Sequence, residues 1–82
     1  MSEHISEMMY NALKNNFQSN IDTAETTAEI YFNNPVGIGE HPQHIEEMIK
    51  LIDVISTNED RLDTLKKYFS DYDESRGNVW IS

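Results

Sequence analysis

Apolar residues recur along this chain every three or four positions, with charged and amide residues between them. In the first half the stripe runs Ile5, Met8/Met9, Leu13, Phe17, Ile21, Ala24, Ala28 and Tyr31/Phe32. Such spacing predicts an amphipathic helix, not the strict alternation of a strand. Glu3, Glu7, Lys14, Asp22, Glu25 and Glu29 fall between the apolar positions and are expected to face water. One weak point interrupts the run. Asn15-Asn16-Phe17-Gln18-Ser19-Asn20 has poor helix propensity, and Asp22-Thr23-Ala24-Glu25 after it has the form of a capping box. A break near residues 19–22 would give two helices. The apolar phase does not slip across the gap, which favours one long helix.

The second half repeats the pattern. Ile45, Met48, Ile52, Ile55, Leu62, Leu65 and Phe69 carry it, and Ile49, Leu51 and Val54 widen the stripe. Residues 48, 55, 62 and 69 lie seven apart, as do 45 and 52, which makes a heptad-like seam interrupted at Glu59. Pro42 suits the first turn of this helix, where a missing N–H costs least. Lys66 and Lys67 suit its C-terminal end. Glu46–Lys50 and Asp63–Lys67 stand four apart in the favourable order. Ser56-Thr57-Asn58-Glu59 could cap a new helix, yet the phase continues from Ile55 to Leu62, so a single helix is expected.

Between the halves lies Asn33-Asn34-Pro35-Val36-Gly37-Ile38-Gly39-Glu40-His41-Pro42. It holds both prolines and two of the three glycines. The residue before Pro35 is pushed out of helical geometry, and Gly37 and Gly39 tolerate positive φ. A bend between helices accounts for every residue in it. After residue 70 the pattern stops. Residues 71–82 are acidic, contain Gly77, and end in Val79-Trp80-Ile81-Ser82. Trp80 could cover one end of the helices or dock on another chain. The resulting expectation is an all-α fold: a helical hairpin of two long antiparallel helices over residues 1–70, with a loop at 33–41 and an acidic tail at 71–82.

The width of the second stripe changes this picture. Met48, Ile49, Leu51, Ile52, Val54 and Ile55 spread around more of the helix than one partner helix covers. Pairing two hairpins into a four-helix bundle would bury them. A homodimer or higher assembly is therefore expected, with Ile45, Met48, Ile52, Ile55, Leu62 and Phe69 as its interface. The competing solution breaks the first half and wraps a compact three- or four-helix monomer.

Charge narrows the partners. The 82 residues carry 15 acidic and 6 basic side chains, a net −9. Such a chain is repelled by phosphate backbones and by anionic lipid, so direct nucleic-acid and membrane binding are not expected. No apolar run approaches the roughly 20 residues of a bilayer span, and no basic-then-apolar leader opens the chain. There is no cysteine, hence no disulfide and no thiolate ligand. An acidic face could instead meet a basic protein surface, in the manner of a DNA mimic. Glu25, Glu29, Glu40, Glu46, Glu47 and Asp53 would supply it.

Candidate chemistry is sparse. Gly37-Ile38-Gly39 lacks the spacing, preceding strand and lysine of a phosphate loop. His41 and His44, with Glu40 and Glu47 nearby, could offer metal ligands, His44 and Glu47 being one turn apart. Solvated histidines at a helix start are the plainer reading. No nucleophile-elbow motif surrounds any serine, and the carboxylates lie on faces expected to be solvated. Neither catalysis nor a cofactor is expected.

Tyr31-Phe32-Asn33-Asn34-Pro35-Val36-Gly37-Ile38-Gly39-Glu40-His41-Pro42, followed by Ile45-Glu46-Glu47-Met48 and by Asp60-Arg61-Leu62-Asp63-Thr64-Leu65-Lys66-Lys67-Tyr68-Phe69, resembles short acidic proteins of large tailed marine phages. The likeness spans about residues 30–70. It implies an infected bacterial cytoplasm or a virion as the setting, and a structural or host-directed interaction role. It implies no activity.

Overall fold

The computed structural model describes residues 2–33 and 42–73. Helix α1 runs Ser2–Asn33 and helix α2 runs Pro42–Phe69, followed by a short 3-10 turn at Ser70–Tyr72. The His41, Gly37 and Gly39 loop positions and the Trp80 tail lie outside the described residues. Helices of 32 and 28 residues measure about 48 and 42 Å. They pack antiparallel: Asn20 meets Asn58, Phe17 meets Arg61, and Tyr31 meets His44. The result is a rod of 56 × 20 × 19 Å with a radius of gyration of 17.6 Å. A compact chain of this length would have about 12 Å. Among the described residues no helix is long and apolar enough to cross a membrane.

Both helices are continuous, and local hydrogen bonds explain why the weak points hold. Asp22 does not cap a new helix. Its carboxylate accepts a 3.0 Å bond from Gln18 Nε2, one turn back. Ser56 likewise turns its hydroxyl to the carbonyl of Asp53 at 3.3 Å, and Thr27 bonds the Thr23 carbonyl at 2.9 Å. These groups are satisfied inside a running helix and do not end one. The compact multi-helix alternative is thereby set aside.

The buried apolar residues are Tyr10, Ala24, Ala28, Met48, Leu62 and Leu65. They do not follow the first-half stripe as read from the sequence. Ile5, Met8, Met9 and Leu13 are exposed, and Tyr10 is buried in their place. The reason is geometric. A row of constant four-residue steps drifts about 40° per step on a helix turning 100° per residue. Ile5 and Ile21, four such steps apart, therefore cannot face the same partner. The seam alternates threes and fours instead, through Tyr10, Lys14, Phe17, Ile21, Ala24, Ala28 and Tyr31, all buried or half-buried. In α2 it follows His44, Met48, Leu51, Ile55, Asn58, Leu62 and Leu65. Ile45, Ile52 and Glu59 stand one position outside that line and are exposed.

Asn58 is the one buried polar side chain among the described residues, at 4% exposure. Its Nδ2 donates to the Val54 carbonyl at 2.7 Å, and its Oδ1 accepts from Asn20 Nδ2 at 3.0 Å. Asn20 Nδ2 also reaches Asn16 Oδ1 at 3.3 Å. An amide pair at mid-seam can be satisfied in one register only, because sliding either helix leaves a buried amide unpaired. Arg61 stacks over Phe17 at 5.8 Å one turn away and adds a second cross-helix contact. Asn58→Ala should cost about 1–3 kcal/mol, a fall of roughly 5–15 °C in melting temperature for a domain of this size. Replacing both Asn20 and Asn58 by leucine should raise the melting temperature while loosening the register. Circular dichroism melts of both variants measure the two effects.

Candidate functional site

Two surfaces stand out, one at each end of the rod. At the open end, where the α1 N-terminus meets the α2 C-terminus, a groove of about 240 Å³ is lined by Ser6, Met9, Tyr10, Leu13, Leu65, Phe69 and Tyr72. It continues along the rod past Phe17, Arg61 and Thr64. The exposed faces of Met9, Leu13, Phe69 and Tyr72 make its rim, and Tyr68 packs against Phe69 with ring centroids 6.5 Å apart. At the loop end, Ile45, Ile49 and Ile52 form an exposed row on α2 at helical spacing.

The groove floor is held by one polar cluster. Asp73 follows the 3-10 turn, and its backbone N–H bonds the Ser70 carbonyl at 3.0 Å. Its carboxylate lies 3.9 Å from Lys14 Nζ, which ties the end of the second helix to the first. The Tyr10 ring is 2% exposed, and its buried hydroxyl makes no hydrogen bond among the described residues. Burial, and then the negative charge of Asp73, hold its pKa above the ordinary phenol value. Both effects penalise the phenolate.

The residues singled out from the sequence separate into two groups. Met48 and Leu62 are buried within the hairpin and Ile55 is half-buried, so α1 already covers much of their surface. Ile45, Ile52 and Phe69 are 50–55% exposed. Of the two histidines, His41 lies outside the described residues. The His44 ring stacks on Tyr31, with centroids 5.6 Å apart and planes 25° from parallel. Glu47 pairs with Lys50 at 3.4 Å, in place of the Glu46–Lys50 pair expected from the spacing. Among the described residues no three His, Asp or Glu side chains converge as metal ligands.

No protein-family model, no curated protein and no solved structure matches the chain.

Sequence reasoning missed Tyr10 and the Asn20–Asn58 pair. A signal for Asn58 was present: it stands seven residues from both Leu51 and Leu65, in line with them. Tyr10 carries the chemical consequence. A group whose folded pKa lies above its free value contributes its full stability below the free value, about pH 10 for tyrosine. That contribution disappears as pH climbs through the raised value. Helicity should therefore be lost more steeply above about pH 10. Tyr10→Phe should blunt that loss and leave the melting temperature at neutral pH equal or higher, since it deletes an unpaired buried hydroxyl. Thermal melts of both chains at neutral and alkaline pH test this.

Proposed function

We propose that this chain is a small acidic interaction module that self-associates through the apolar faces of its hairpin. The observation that carries the reading is the balance of apolar surface. Six apolar side chains are buried, whereas thirteen large ones among the described residues are 40% exposed or more. The chain exposes 6466 Å² in all. A compact protein of 9.5 kDa exposes about 5,000 Å². Exposed apolar surface gathered toward the two ends of the rod is what partner-binding faces present. The role is one of assembly and not of catalysis. In the setting implied by the phage resemblance, it belongs to a virion or to the cytoplasm of an infected bacterium.

A second reading rests on the charge. Glu25, Glu29, Glu46, Glu47 and Asp53 are all exposed on the loop-end half of the rod, Asp22 joins them, and Glu40 lies outside the described residues. They would suit a basic surface on a host protein. Ionic strength separates the two readings. Each chain carries −9, so self-association works against like-charge repulsion and should tighten as salt is added. Binding to a basic protein should weaken steeply instead. Sedimentation equilibrium across a dilution series, at low and high salt, should give twice the chain mass and a lower Kd at high salt. A single-chain mass at every concentration would sink the first reading.

A further inference from the structure

We infer that the open end of the hairpin is the self-association surface, and that a second copy of this chain covers it about a two-fold axis. The inference rests on the self-association proposed above and assigns it a place and a geometry.

Three observations converge on this end. The first is area. Ile5, Met9, Leu13, Tyr68, Phe69 and Tyr72 are 44–66% exposed. Ile5, Met9 and Leu13 stand four apart on α1, so they form one row beside the groove that Met9 and Leu13 share with Phe69 and Tyr72. Aromatic side chains bury about 150–250 Å² each and the aliphatic ones less, so at these exposures the six together offer roughly 500–600 Å². A stable interface takes about 800 Å² from each partner. This patch supplies most of that from apolar atoms and leaves the remainder to its rim. The loop end exposes Ile30, Phe32, Ile45, Ile49, Ile52 and Val54 at 40–70%, so area admits either end, and the groove and the charge choose the open one.

The second observation is the segregation of charge. Within the described residues, the loop-end half, 22–33 and 42–56, has six acidic side chains against one basic, net −5. The open half, 2–21 and 57–73, has seven against four, net −3. Lys14, Arg61, Lys66 and Lys67 all belong to the open half. Two acidic chains that meet at their open ends carry their more strongly charged halves outward to opposite extremes of the complex. The rod is 56 Å long and the Debye length is about 8 Å at physiological salt, so those halves do not sense each other. A contact through the isoleucine row would instead bring the two −5 halves together.

The third is geometry. Helical rows spaced by four make ridges that seat in the grooves of a facing helix. An antiparallel two-fold arrangement lays the Ile5–Met9–Leu13 row of each copy against the Leu65–Phe69–Tyr72 groove of the other. Each patch is thus used twice, as a closed isologous contact requires.

Met9→Glu and Ile49→Glu replace residues of similar exposure, 61% and 55%, at opposite ends of the rod. Sedimentation equilibrium of the full chain and of each variant, with circular dichroism to confirm unchanged helicity, decides the matter. The parent and Ile49→Glu should be dimers, and Met9→Glu should weaken the dimer at least about tenfold. A second open-end change, Tyr68→Ser, should weaken it in the same direction and guards against misfolding of the first. A dimer broken by Ile49→Glu and left intact by both open-end changes would overturn the placement while preserving self-association. A parent chain that stays single would overturn both.

Discussion

Two helices meet along one line. Every feature of this protein is conditioned by that restriction, because a second line of contact would need a third helix or another chain. A single seam buries a narrow stripe from each helix and leaves the flanks in water. Six apolar residues close the seam, and none of the described large side chains is completely buried. A domain of this size has little stability to spare. Its register must therefore be held by something more discriminating than hydrophobic contact, which would be nearly as favourable one turn up or down.

The Asn20–Asn58 bond meets that need at mid-seam. An apolar residue at either position would bury more favourably, but it would not choose between registers. The amide pair chooses, since a displaced Asn58 would keep its local bond to the Val54 carbonyl and lose its partner across the interface. The Lys14–Asp73 pair and the Tyr31–His44 stack mark the two ends of the same register. Three contacts of different chemistry thus agree on one alignment. That agreement brings Met9 and Leu13 beside Phe69 and Tyr72. The open-end surface is a consequence of the register, not an independent feature.

The acidity of the chain acquires meaning from the same alignment. A net charge of −9 on a small protein resists association wherever it is evenly spread. Here four of the six basic residues fall in the open half and partly offset its carboxylates. The apolar groove and the weaker net charge coincide at one end. Such a distribution steers both what the rod can approach and how it can approach a copy of itself.

Helix content, helix length and the hairpin plan were legible in the residues. Periodicity near 3.6 is a local property, as are the Pro35 stop, the Pro42 start and the basic last turn of α2. The choice between one helix and two at residues 19–22 was also decided by phase, which is readable along the chain. Which flank of each helix faces inward was not. Several rows of apolar residues ran down each helix, and only the partner's position selects among them. Ile5, Met9 and Leu13 looked like core, and they stand outside it. Asn58 looked like an inner position of a capping box begun by Ser56, and it lies inside the seam. These outcomes turn on a cross-helix register set by pairs such as Asn20 with Asn58 and Phe17 with Arg61, about forty positions apart in sequence. Local pattern carries no information across that separation, so only the packed helices could decide it.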